Sequence, residues 1–577
     1  MTVTYKIHPS IGVARVGDSD EFYLAPETPG GLPILPDGRL FEPRDFRDAE
    51  RRLRRQAARF RVFRYDEAHP GGVEVEAGAA GVARVEWTVH LANKKAIWYQ
   101  FFVNSGEQGY SPDHLPRNPD VTDPERRRAM IIDPGPRTLT GPGQSARFSR
   151  HDNPDGYPMT FPPEGLEPFS IDTLGGMATD ARGRLSVLGG HGRSGSSRKP
   201  PVIVDYANND RWWDDTADGP VTAVLVLDDG SRVEVEGSAW VLVAPPKYAP
   251  QIENLVTLWD TVYDTSVRHL GLRPDVYRDS LWNRDYEVSF EREVLPILRR
   301  VERYPWVVAI PPHPHELALD KLGDPNPDYA RLRAYYLQVV RPPSAPNQLT
   351  SPETGYPQMP FLAGDNAFEP GPLASKYLTV TDTQYFLLAQ WAAGKFRVGG
   401  DAPEPTAAAL DRAALENCVG GAFSPGIEMT WISRNPSIYE APFRLHRKRR
   451  VEPPLSLGES FAEGLEPGDA AKYMALPWQA DFNECSSQPV GDRWLWWWPA
   501  QRPLFVYLDE PPPRRQVPWV GTDEDQNAAD YLMFADDIEM VSGWKELGFV
   551  WNVGSEEKPR FVEVERVLPR KPRCPER

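Results

Sequence analysis

Asp481 stands four residues before Cys485 in the segment Trp478-Gln479-Ala480-Asp481-Phe482-Asn483-Glu484-Cys485. On a helix that spacing puts a carboxylate and a lone thiol on one face, one turn apart. A carboxylate can carry a proton in a reaction, and a thiol can form covalent bonds. Close behind come Trp494-Leu495-Trp496-Trp497-Trp498 and then Pro499-Ala500-Gln501-Arg502-Pro503. Neighbours on a strand point to opposite faces, so three successive tryptophans do not suit a simple amphipathic element. Either both faces are buried or one ring serves chemistry. A tryptophan-rich core hairpin beside an inert cysteine satisfies the same pattern, because free cysteine is often simply buried. The residues alone leave both readings open.

Other chemical signals are weaker. His313-Pro314-His315-Glu316 offers two histidines, but without further ligands in view the spacing is a poor metal signature, and no metal site is expected. A carbohydrate-binding β module lined with tryptophan would explain the rings, yet it has no use for Asp481 and Cys485.

Such groups need a scaffold, and the first half of the chain reads as β. Val85-Glu86-Trp87-Thr88-Val89-His90-Leu91 alternates apolar and polar residues with period two, as a half-buried strand does. Val221 to Leu227, Asp228-Asp229-Gly230 and Arg232 to Val235 read as a hairpin with an Asp-Gly turn. Ala239 to Val243 is a further strand, stopped by Pro245-Pro246. The basic stretch Arg47 to Arg61 reads as a short, solvated helix. The pattern changes near Tyr248 to Asn254. Helical periodicity follows at Val288 to Val301, Tyr329 to Val340, Asp382 to Ala393 and Ala407 to Asn417. Arg341 to Pro372, rich in Pro and Gly, reads as a long ordered loop. The fold class is therefore α+β: antiparallel sheets in an N-terminal domain over 1–255, and a loop-rich, mixed helical C-terminal domain over 256–577.

Composition bounds the function. A chain of 577 residues is too long for one ordinary core. Its net charge of −17 repels phosphate backbones and anionic lipid, which argues against nucleic acid and membrane surfaces as partners. No apolar run approaches the roughly 18 residues of a membrane span. The start Met1-Thr2-Val3-Thr4-Tyr5-Lys6 lacks the basic-then-apolar pattern of a Sec signal. Synthesis in the cytoplasm is the expectation, with a non-classical export route left open. Three cysteines, Cys418, Cys485 and Cys574, cannot all pair within one chain and do not make a disulfide framework. The 61 prolines and 18 tryptophans describe irregular backbone pinned by aromatic rings.

Four blocks together carry a resemblance. They are Ile7-His8-Pro9-Ser10-Ile11-Gly12-Val13-Ala14-Arg15-Val16-Gly17-Asp18-Ser19 with Phe22-Tyr23; Leu188-Gly189-Gly190-His191-Gly192-Arg193-Ser194-Gly195; Cys418-Val419-Gly420-Gly421-Ala422-Phe423-Ser424-Pro425-Gly426-Ile427-Glu428-Met429; and Asp481 to Pro503. In this order, and across nearly the whole chain, they resemble the LodA-like family. Its members are lysine ε-oxidase and glycine oxidase quinoproteins that carry cysteine tryptophylquinone.

The resemblance implies a cofactor built from the chain itself. Cys485 matches the thioether cysteine, and Asp481 matches the carboxylate for cofactor maturation and proton transfer. Trp498, directly before Pro499, fits the modified ring best, with Trp497 and Trp496 as alternatives. Cys418 matches a second cysteine, whose buried structural role is the simpler one, while Cys574 at the tail is expected to be exposed. His191 stands where the resemblance implies an aromatic shaping the substrate pocket. Asn435 stands where it implies an active-site histidine. The implied chemistry is oxidation of a primary amine. A quinone carbonyl is attacked by the amine, a carboxylate removes the adjacent proton, and the electrons pass through the quinone to oxygen. Hydrogen peroxide and ammonia are released. The implied partners are a small amine or amino acid, O2, a flavoprotein that matures the quinone, and further copies in a dimer or tetramer. The alternatives are an oxidase tailoring a peptide or secondary-metabolite amine, and a binding homologue whose cofactor never forms.

Overall fold

A computed structural model describes residues 3–79, 81–101, 115–153, 155–308, 317–343, 347–364, 376–421, 426–458, 461–484, 487–490, 493–496, 498–509, 516–520, 531–532, 534, 536–569 and 571–572. Among them, thirteen strands join one sheet. Its main path runs Arg137–Leu139, Val82–Val89, Ala217–Leu227, Ala239–Ala244, Ile11–Arg15, Arg55–Tyr65, Leu185–Leu188, Thr173–Thr179 and Ser145–Ser149. Neighbours on this path pair antiparallel, except that Ala239–Ala244 and Ile11–Arg15 run parallel, with Trp240 opposite Ile11. Every residue of Ile11–Arg15 is buried, as suits a strand covered on both faces. The two edge strands are close in sequence, and Arg137 Nε donates to the Arg147 carbonyl at 3.0 Å. The sheet thereby curls until its edges nearly meet, which shields them from stray pairing.

The expected strands are present. Val82–Val89 buries alternate residues toward the core, and Ala217–Leu227 pairs with Arg232–Glu234 across the Asp-Gly turn. The basic stretch is a correction. Arg55–Tyr65 is an eleven-residue strand with largely buried side chains, not an exposed helix. Its arginines are neutralised from afar: Arg59 and Arg61 both reach Glu27, and Arg55 donates to the Gly189 carbonyl at 3.2 Å. Those partners belong to other strands and turns, so a local charge count missed them.

Beyond the sheet the chain turns helical at Leu258–His269, an element that periodicity did not single out although Thr257 and Asp260 form a reciprocal capping box. Ala330–Val339, Asp382–Ala392 and Thr406–Glu416 follow as expected. The helix expected from Val288 begins later: Val288–Ser289 pairs as a short parallel strand with Phe396–Arg397, and the α-helix runs over Leu295–Arg303. The long loop is ordered where it is described: buried Arg341 donates to the carbonyls of Gln348, Gln358, Pro360 and Leu378. Among the described residues, no helix is long and apolar enough to cross a membrane. The principal apolar core takes in Ile7, Trp87, Val241, Tyr248, Phe482, Trp498, Trp544 and Phe561, so it draws on sequence from both ends of the chain.

Candidate active site

Asp481 lies on the short helix Trp478–Glu484. At seven residues that helix would not persist alone; tertiary contacts hold it. The Trp478 N–H donates to Asp214 Oδ2 at 3.1 Å. Gln479 Nε2 donates to the Gly192 carbonyl at 3.0 Å, and its Oε1 accepts from Ser194 Oγ at 2.6 Å. Asn483 Nδ2 donates to Asp537 Oδ1 at 2.6 Å, tying the far end to the helix Asp537–Gly543. The Gly-rich turn and the Asp481 segment, far apart in sequence, are thus stitched together.

An aromatic shell encloses the helix. Trp478 and Phe482, four residues apart on one face, meet edge to face at 5.6 Å. Phe482 packs on Trp498 at 5.4 Å, and Trp478 packs on Trp544 at 5.3 Å. Trp498 and Trp544 are both buried. The Trp544 indole lies directly against Gly192, where an added Cβ would stand 2.1 Å from Cζ2; only glycine admits that approach. The buried Trp478 Nε1 has no hydrogen-bond acceptor among the described residues, an uncommon state for a native indole N–H.

Charge is concentrated beneath the helix. Lys95 and Asp214 are wholly buried and paired at 2.9 Å. Burial holds the Lys95 ammonium below its usual range despite Asp214, with Asp481 a further anionic neighbour. Asp215 follows, its carboxyl packed against Gly190. Burial pushes Asp215 up to about 7, opposed by the backbone N–H groups of Arg193 and His191 and reinforced by Asp214.

A second network adjoins. Glu428 Oε1 accepts from Arg15 at 2.7 Å and from Gln501 Nε2 at 3.3 Å, and its Oε2 accepts from the Val419 N–H at 3.0 Å. Asn254 bridges Gln501 Oε1 and the Cys418 carbonyl. The Tyr248 and Ala249 N–H groups donate to the Gln501 and Ala500 carbonyls, fixing the turn after Trp498. The first, third and fourth sequence blocks therefore meet through Glu428, and the second is bonded, through Gln479, to the helix on which the fourth begins.

Asp481 and Trp498 come together through Phe482, and the turn bearing His191 is bonded to the same helix. His191 is three-quarters covered and meets Asp20 at 3.2 Å; burial, with Arg55 nearby, keeps its imidazole below the ordinary range. Cys418 is fully buried in the Arg15–Glu428 network, where burial raises its thiol. Asn435 accepts from the Ser437 N–H and caps the turn Pro436–Ile438. Cys485, Trp497, Cys574, His313 and His315 lie outside the described residues. The backbone of Ser487–Val490 pairs with Arg493–Trp496 as a hairpin. Lys95, Asp214, Asp215 and Trp544 were not foreseen; the doublets Lys94-Lys95 and Asp214-Asp215 are the signals that were there to use, since buried charge pairs carry cost and meaning.

Residues 8–243 match the family model for the N-terminal domain of L-lysine epsilon oxidase, and residues 360–500 match that for its C-terminal domain. The L-lysine 6-oxidase of Marinomonas mediterranea is 35% identical over 529 residues, covering 84% of this chain and 71% of that protein. This chain belongs to the L-lysine ε-oxidase family. Crystal structures of the L-Lys epsilon-oxidase from the same organism, one of them a Schiff base intermediate with L-Lys, superpose with a TM-score of 0.84. They are 29% identical, with 98% of this chain and 95% of theirs covered. Membership in the family makes the chain an oxidoreductase of the amine-oxidase type.

Proposed function

We propose that this chain oxidatively deaminates a primary amine of an amino acid, with a lysine side-chain amine ranked ahead of a glycine-like α-amine, using a cysteine tryptophylquinone that includes Cys485. Asp481, buried on a helix held between Trp498 and Trp544, is the observation that carries this reading. When formed, the quinone supplies an electrophilic carbonyl for the amine and takes up the electron pair that O2 later removes as H2O2. The residues around it fit such a group: a buried carboxylate, an indole N–H without an acceptor among the described residues, and a Gly-rich wall. Asp481 holds and moves the proton taken from the carbon beside the amine. The aromatic shell excludes water, which strengthens that carboxylate as a base. A separately encoded flavoprotein is the proposed maturation partner, and a homo-oligomer the proposed assembly.

Trp498 is the first reading for the modified ring, from its place before Pro499. Trp544 is a second, favoured by its contact with both Trp478 and Gly192 on the His191 side of the helix. Peptide mapping of protein coexpressed with its flavoprotein decides. One thioether is expected, with two added oxygens on a single tryptophan and Cys485 missing from thiol-labelled peptides. The peptide bearing the oxygens identifies the ring, and a freely alkylatable Cys485 ends the cofactor assignment.

His191 is the proposed selector of substrate. Replacing it with Phe removes the Asp20 contact and presents an apolar ring. His191→Phe should therefore change the ratio of KM values between lysine and smaller amines several-fold while leaving quinone absorbance per chain unaltered. A peroxide-release assay over amino acids, simple amines and lysine-containing peptides reads this. Turnover of peptides or polyamines alone would move the substrate class to a tailoring oxidase.

A further inference from the structure

Lys95 and Asp214 form a wholly buried ion pair. Asp214 is saturated: Oδ2 accepts from Lys95 Nζ at 2.9 Å and from the Trp478 N–H at 3.1 Å. Its Oδ1 accepts from Asn93 Nδ2 at 2.9 Å and from Thr216 Oγ1 at 2.7 Å. One carboxylate oxygen therefore joins the ammonium to the first residue of the helix that bears Asp481. Lys95 is itself fixed, its N–H donating to Asn93 Oδ1 at 2.9 Å.

We infer that Lys95 and Asp214 are the positioning pair for Asp481: Asp214 seats the helix, and the Lys95 ammonium is the counter-charge that keeps the Asp481 carboxylate ionised inside the aromatic shell. Asp481 is the further anionic neighbour of Lys95 after Asp214. Other charged groups line this cluster. Arg117, a further cation beside Lys95, donates to the carbonyls of Lys95, Ala207 and Met474. Asp537 accepts from Asn483. On the Gly-rich turn, His191 is paired with Asp20, and the Arg193 and His191 N–H groups face Asp215. Lys95 is the buried ammonium that joins both Asp214 and the surroundings of Asp481. A carboxylate buried among rings needs such a charge, because burial by itself favours the protonated form that cannot act as a base.

The inference rests on Asp481 being the base, and the test separates the two. Lys95→Met, Lys95→Arg, Asp214→Asn and Asp481→Asn are made in the full chain coexpressed with its flavoprotein. Quinone absorbance per chain, melting temperature and the acid limb of turnover against pH are then measured. Removing the ammonium should raise the acid limb by about one pH unit in Lys95→Met. Removing the competing carboxylate should lower it in Asp214→Asn, and Lys95→Arg should return it close to the parent. Opposite shifts are the signature. A merely structural pair would lower melting temperature and quinone content in both variants and leave the limb in place. Limbs that stay put, or move together, overturn the inference. If Lys95→Met fails to fold, the direction in Asp214→Asn decides alone. If either variant folds without quinone, recovery of the absorbance in Lys95→Arg supports the pair, and continued loss in Lys95→Arg overturns it. Normal turnover in Asp481→Asn sinks the base assignment itself, whichever way the limbs move.

Discussion

Asp481→Asn is expected to yield a folded chain whose turnover falls by about 10²–10⁴-fold, the usual loss when a positioned base is removed. The residue is 3% exposed, and asparagine matches its shape, so the edge-to-face contact of Trp478 and Phe482 around it survives. What disappears is the negative charge that receives the substrate proton. If Asp481 also serves cofactor formation, the variant carries less visible quinone, and the loss appears in absorbance before it appears in rate. Turnover must therefore be expressed per quinone as well as per chain. Near-normal quinone and near-normal rate together would reduce Asp481 to a structural residue.

The second large effect is expected at Arg15. Arg15 and Glu428 are paired at 2.7 Å with side-chain exposures of 2% and 0%. Burial pulls the guanidinium toward neutrality, and Glu428, with Cys418 and Tyr23, more than offsets that pull. Arg15→Met fills similar space but leaves an uncompensated carboxylate in the interior. Breaking one side of such a pair costs about 3–5 kcal/mol, to be read from denaturant midpoints at fixed pH. Because Glu428 also accepts from Gln501 and Val419, the loss extends to the turn after Trp498, and quinone yield falls with stability. A change below about 1 kcal/mol would show that the pair is dispensable. Glu428→Gln, which keeps an oxygen for the Val419 N–H, should cost less than Arg15→Met.

Much of the scaffold was legible because its signals are local. Alternation at Val85 to Val89 and the Asp-Gly turn after Leu227 depend on residues two to four apart, and the strands and hairpin formed there. Helices such as Asp382–Ala392 carry their own caps and periodicity. Arg55–Tyr65 was not legible, because its arginines look solvated until Glu27 and Glu74 are brought beside them.

The site divides in the same way. Sequence by itself determined the chemical parts: a carboxylate one turn before a thiol, a tryptophan-rich stretch, a Gly-rich turn, and four blocks in a family order. Spacing along one chain is enough for that, since the period of a helix or strand is a property of the backbone. Tertiary structure alone decided which rings reach the Asp481 helix, adding Trp544 to Trp498, and which charges neutralise its interior. Lys95 meets Asp214 across 119 residues, and Arg15 meets Glu428 across 413. Contacts of that span are selected by the packing of a shared core and by the cost of leaving any buried charge unpaired. Neither condition can be evaluated until the chain has closed around them.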